Sequence, residues 1–295
     1  MYRPLLFALL VVYVAGKDVS TCVSLEGKDA KVCTQVLGQS GKIVVGTSDP
    51  PTSDDNRVTI SFNSIKELSA DDAEVGKGKD SHSINSFASQ TFVFSDIDND
   101  AKFQDIGAVS FNFTAELEGP DATLAVTAYI FTEDGNITNG DEWFLVQAGN
   151  MKFNVEIDNW AFCKHIVECK QGSTVEAGEK LDFMMDIKGK GNAAKKDDDK
   201  SGTAVNYDLG GANTSIILST MVSKDGEWME MESDYPMVVT TGGKQSFTFR
   251  FPRGERLLYD PTIDMGITES SDGSMTLVAN ALLVGLAALL TRFAH

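Results

Sequence analysis
The chain alternates apolar and polar residues over most of its middle, the period of two expected of strands with one buried face. The runs are Val58-Thr59-Ile60-Ser61-Phe62, Thr91 to Phe94, Ala108 to Leu117, Thr123 to Phe131, Trp143 to Gln147 and Met151 to Trp160. After them come Leu181 to Ile187, Ser215 to Val222, Trp228 to Met231, Met237 to Thr240 and Ser246 to Phe251. Clusters of Gly, Asp and Asn separate them. The pattern predicts an all-β fold, an antiparallel β-sandwich-like region of one large or two small packed modules. Ser64 to Val75 carries the only helical pattern, a short one. Lys188 to Gly202, with Gly189, Gly191, three Asp and five Lys, reads as a flexible loop spanning 188–202.

The ends break this pattern. Residues 1–16 run from Met1 and Arg3 through an apolar block to Ala15 and Gly16, the charged, apolar, small-residue order of a secretory signal peptide. That block is too short to cross a hydrocarbon core needing roughly 20 residues. Residues 269–295 hold a second apolar block, Met275 to Leu290, behind the small polar run Ser270 to Ser274. Two readings stand: a signal for glycosylphosphatidylinositol attachment, or a transmembrane helix over the charge-free Gly273 to Thr291. Either places residues 17–268 outside the cell, at the surface through a C-terminal anchor or shed into a matrix.

Composition sharpens the picture. Residues 1–16 and 273–295 contain two arginines and no acid. The remainder therefore holds 43 acidic residues against 23 of the chain's 25 basic ones, a net charge of about −20. Such a field repels nucleic acid and attracts cations. With 42% hydrophobic residues the chain can still bury a core, so it is not a disordered acidic tail. The four cysteines fall in two local pairs, and an oxidising compartment predicts disulfides Cys22–Cys33 and Cys163–Cys169. Zinc is the weaker reading, because C-x₂-C spacing is absent. Sequons stand at Asn112, Asn136 and Asn213; Asn136 lies in the turn-like run Glu133 to Gly140, and Asn112 mid-strand.

Catalytic chemistry has little to work with. Only His82, His165 and His295 are present, which starves most acid–base schemes. His165-Ile166-Val167-Glu168 is not the H-E-x-x-H zinc helix, and neither a G-x-S-x-G elbow nor a P-loop occurs. The expectation is a protein that is not an enzyme. Calcium suits the chain better. Asp96, Asp98 and Asp100, followed by Asp105, space carboxylates as a flexible oxygen-donor loop would, though without the Gly and Glu of an EF-hand. Asp197, Asp198 and Asp199 form a second candidate. Further clusters, among them Asp71-Asp72 with Glu74, Asp141-Glu142, and Glu227, Glu230, Glu232 and Asp234, read as soluble surface able to hold several calcium ions weakly.

Three runs then stand out: Asn150 to Cys163, with Asn159-Trp160 near the cysteine; Phe247 to Arg253, with Phe251-Pro252-Arg253; and Leu258-Tyr259-Asp260-Pro261. From about Gly107 to Gly266 the chain resembles the coral acidic skeletal organic matrix proteins, which include the skeletal aspartic acid-rich and coral acid-rich proteins. The resemblance implies a secreted matrix component associated with calcium carbonate deposition, whose partners are calcium ions, the mineral and other matrix proteins. One departure is visible. Relatives known for mineral binding carry long Asp runs, whereas the matching loop here keeps only Asp197 to Asp199 among five lysines. The adhesion or glycan-recognition module of a cell surface is the alternative.

Overall fold
The computed structural model describes residues 18–25, 30–54, 57–75, 83–88, 90–163, 177–190, 194–196, 205–210, 214–241 and 244–267. The expected signal peptide, the C-terminal anchor, Asp197 to Asp199, Asn213 and Cys169 lie outside these residues.

Among the described residues the fold is built from strands, with one 3₁₀ turn at Pro51–Ser53. The N-terminal part forms β1 (Val19–Ser24), β2 (Lys31–Leu37), β3 (Lys42–Gly46) and β4 (Val58–Leu68). The middle forms β5 (Val93–Phe94), β6 (Asp98–Phe103), β7 (Ile106–Leu117), β8 (Ala122–Phe131), β9 (Gly135–Asn139), β10 (Glu142–Val146) and β11 (Met151–Asp158). There follow β12 (Lys180–Lys188), β13 (Ala194–Lys196), β14 (Val205–Asp208), β15 (Ser215–Leu218), β16 (Met221–Lys224) and β17 (Glu227–Glu230). The last four are β18 (Met237–Thr241), β19 (Lys244–Pro252), β20 (Arg256–Tyr259) and β21 (Thr262–Asp264).

Every pairing is antiparallel. One sheet runs β1-β2-β3-β4-β12-β19-β18. The other is forked: β11 pairs with β8 along its full length on one side, and with β20 and then β21 on the other. The β20 branch continues to β16 and β17, and the β21 branch to β15, β14 and β13. Alternate residues of the two sheets face one another and form a single large core, so the described region is one sandwich. Phe62 of β4 meets Phe113 of β7 at 6.3 Å, and Phe249 of β19 stacks on Tyr259 of β20 at 4.0 Å. The hairpin β9–β10 lies on the outer face of the forked sheet. It closes a small second core of Ile106, Ala108, Phe131, Ile137, Phe144 and Val146.

Several expectations change. Ser64 to Val75 is not helical: β4 runs through to Leu68 and a turn follows. The reason is a bulge, where Met184 of β12 opposes Ser64 and Met185 opposes Phe62, leaving Asn63 as an extra residue. The slip shifts the inward phase from Phe62 to Ile65 and Glu67, so the period of two is interrupted in the sequence while the strand continues. Ser215 to Val222 is two strands parted at Ser219-Thr220. Glu133 to Gly140 contains strand β9, not a turn alone, and β13 lies within 188–202. Val19 to Gly46, unassigned by periodicity, supplies three strands.

Candidate functional site
Of the predicted calcium carboxylates, Asp96, Asp98, Asp100 and Asp105 are among the described residues and lie along and around β6. Asp98 and Asp100 are exposed on β6, and Asp98 Oδ1 accepts the main-chain N–H of Asp100 at 3.0 Å. Asp96 precedes that strand. Asp105 sits in the β6–β7 turn with φ of 70°, at the opposite end of β6 and so roughly 20 Å along the strand. Among the described residues no three His, Cys, Asp or Glu side chains gather around a metal position. Among the described acids only Asp54, Glu67, Glu142 and Asp260 are buried.

Of the sequons, Asn136 is exposed on β9, directly across from exposed Leu145 on β10. Asn112 is half-buried on β7, and its Nδ2 donates to Thr127 Oγ1 at 2.9 Å. Cys22 and Cys33 pair directly across β1 and β2 and form a disulfide. Cys163 is also disulfide-bonded.

Two of the sequence runs that stood out meet at one place. Because of the bulge, Glu67 points inward and is fully buried. Its carboxylate accepts Trp160 Nε1–H at 2.9 Å and the main-chain N–H of Cys163 at 2.8 Å. Asn159 reaches this arrangement with a φ of 59°, a left-handed turn that asparagine tolerates. Arg253 closes the other side, with its guanidinium over the Phe162 ring at 5.4 Å and donating to the carbonyl of Gly178 at 3.1 Å. Gly178 packs so tightly that a Cβ there would fall 1.7 Å from Glu67 Oε1. These groups are spent on one another, so the cluster is a staple between β4, the end of β11 and β19.

A second cluster faces solvent on the first sheet. Arg250 of β19 donates to both oxygens of Asp182 at 2.7 and 2.9 Å, and its Nη1 reaches Asp72 and Glu232 at 2.7 and 2.8 Å. Lys180 bridges Asp72 and Glu232 as well. The Lys180 ammonium holds the carboxyls of Asp72 and Glu232 below their ordinary values. A groove of about 470 Å³ opens beside it, floored by Met229, Met231 and Pro252. Its cations Lys180 and Arg250 are already engaged, so it offers little free positive charge to an anionic ligand.

The third cluster lies beneath the β9–β10 hairpin. Lys152 of β11 and Asp260, between β20 and β21, form an ion pair at 3.0 Å with side chains only 1% and 2% exposed. Lys152 Nζ also donates to the main-chain oxygen of Asp260 at 2.6 Å, and Asn139 Nδ2 donates to Asp260 Oδ1 at 2.5 Å. Glu142 of β10, buried beside them, accepts from Ser219 Oγ at 2.5 Å and from Thr220 Oγ1 at 2.7 Å. The Phe103 ring covers Lys152 at 5.3 Å, and Tyr259 is buried at the base. Sequence reasoning missed this site. Lys152 occupies an outward phase of β11, and only the hairpin folded over that face buries it. Asp141-Glu142 read as surface for the same reason.

Elsewhere Glu156 and Asp158 stand on one face of β11, with Arg256 Nη2 donating to Glu156 Oε2 at 2.7 Å. Burial, then the hydrogen bond and charge of Glu156, push Asp158 up to about 6.

A family model described as acidic skeletal organic matrix protein matches residues 12–206 and 199–294 of the chain. The two matched stretches overlap over residues 199–206, at the end of the lysine-rich segment, and together they extend beyond the region whose resemblance was legible in sequence.

Proposed function
The chain belongs to the acidic skeletal organic matrix protein family, and from that premise we propose that it is an extracellular matrix protein whose dispersed carboxylates collect calcium ions weakly and adsorb the folded sandwich to calcium carbonate. The observation that carries this reading is the arrangement of charge. A surplus of acid sits on a strand-built body, and apart from buried Asp54, Glu67, Glu142 and the Lys152-paired Asp260 the described acids are exposed or half-buried at its surface. Such a surface supplies a field and many shallow contacts, at the weak extracellular end of calcium affinity. Delivery by a signal peptide, an anchor at the C-terminus and contact with other matrix proteins belong to the same proposal.

The test is retention on calcite or aragonite by the folded chain, compared with an unrelated folded protein of equal net charge. The chain should be held more strongly and be released by added salt. Equal retention would reduce its mineral affinity to bulk charge and remove the specific role.

Adhesion is a second reading, favoured by Trp143 and Leu145, which are 51% and 56% exposed on β10. Binding to cells or glycans that survives chelation of calcium would select it.

A further inference from the structure
We propose that Lys152 and Asp260 condense spontaneously into an intramolecular isopeptide bond, with Glu142 carrying the proton. The inference rests on geometry independent of the calcium reading. The Lys152 amine nitrogen lies 3.0 Å from Asp260 Oδ2, with the two residues on paired parts of one sheet, so the carboxyl carbon that it would attack is one bond beyond that oxygen. Both side chains are all but inaccessible to water, at 1% and 2% exposed, with the Phe103 ring over Lys152.

Such a site is poor for an ion pair and good for its condensation. Two charges removed from water lose solvation that their mutual attraction only partly returns. Transfer of one proton from the ammonium to the carboxylate gives the neutral amine and neutral acid, the forms that react. Burial favours that transfer, pushing the Lys152 amine down and the Asp260 carboxyl up. The cluster is also not fully satisfied as it stands, because Asn139 Oδ1 is buried with no hydrogen bond.

The step balances without any further reagent. The lone pair of Nζ attacks Cγ of Asp260, and the C–N bond forms as the carbonyl oxygen takes up negative charge. Asn139 Nδ2–H, at 2.5 Å from Asp260 Oδ1, stabilises that oxygen as an oxyanion-hole donor does. Glu142 accepts a proton from the nitrogen and returns it to the departing hydroxyl. The C–O bond breaks and one water leaves. Ammonium plus carboxylate thus become an amide plus water, with no change of oxidation state. Glu142 is buried on the hairpin that covers the pair, Ser219 and Thr220 hold its two carboxylate oxygens, and its negative charge favours a proton on both Lys152 and Asp260. The remaining amide N–H has the main-chain oxygen of Asp260 as a ready acceptor.

The product would tie β11 to the β20–β21 junction and close a loop between positions 108 residues apart. Reduction would not open it, which distinguishes it from the disulfide at Cys22 and Cys33.

Peptide mapping by mass spectrometry of the full chain, made in a secretory host and reduced, tests the proposal. A branched peptide is expected that contains Lys152 and Asp260 and is lighter by one water than its two linear parts. Recovery of Lys152 and Asp260 only in linear peptides from folded protein overturns the bond. Lys152→Arg should remove the branched species, and its persistence would show that the link lies elsewhere. In Glu142→Gln the branched fraction should appear at least about tenfold more slowly after folding, in keeping with loss of a general base. An unchanged rate in folded Glu142→Gln protein overturns the part assigned to Glu142.

Discussion
Glu156 and Asp158 show how the same residue type acquires different properties from its place on a strand. Standing two apart on β11, they share a hydrogen bond, and the half-buried Asp158 holds its proton up to about 6 instead of the ordinary 3.8. The folded state therefore binds a proton that the unfolded chain releases between about 3.8 and 6, and this group's contribution to stability falls as pH rises through that window. We predict that Asp158→Asn gains relative to wild type across the same window, by roughly 1 kcal/mol once solvent screening is allowed for. Denaturant melts at a series of pH values measure it, and parallel profiles for the two proteins would refute it. None of this was legible in sequence, where Glu156 and Asp158 were ordinary polar positions of an alternating strand. Glu142 is the sharper case. It read as soluble surface beside Asp141, yet it stands in phase with Phe144 and Val146 on β10 and is buried where that hairpin folds back over the sheet.

At the scale of elements, the alternation in β8, β11, β12 and β19, and in β7 from Val109 onward, was readable because each sets one face into the main core. What escaped were irregularities and short pieces. The Asn63 bulge divided β4 into an apparent strand and an apparent helix. β20 and β21, only four and three residues long, are too brief to show a period. The bulge has a structural consequence, since without it Glu67 would face outward and Trp160 Nε1–H would lose its acceptor. Replacing Glu67 with alanine leaves that N–H and the Cys163 N–H unpaired inside the protein, and we predict a loss of about 3 kcal/mol or more. The denaturation midpoint reports it, with Glu67→Gln, which keeps one acceptor, falling between. A midpoint unmoved by Glu67→Ala would mean that the staple contributes nothing. The run Asn159-Trp160 is thus accounted for by architecture: it holds strand ends together, and the charged exterior lies elsewhere.

For the molecule as a whole, net charge and fold class came directly from composition and periodicity, because both are sums over many residues and tolerate local errors. Whether there was one module or two could not be read the same way. It turns on which strands pair at long range, above all β4 with β12 and β11 with β20 and β21. The four spaced aspartates at 96 to 105 resemble a ligand loop in sequence, and in the fold the length of β6 separates Asp98 from Asp105. The central claim is accordingly about the field of the folded body and not about a pocket. Its most direct test is a calcium titration of the folded chain by equilibrium dialysis, beside a neutral sandwich of similar size. The account predicts uptake of several ions with dissociation constants of order millimolar, weakening as salt is added. Uptake no greater than that of the neutral protein would contradict it.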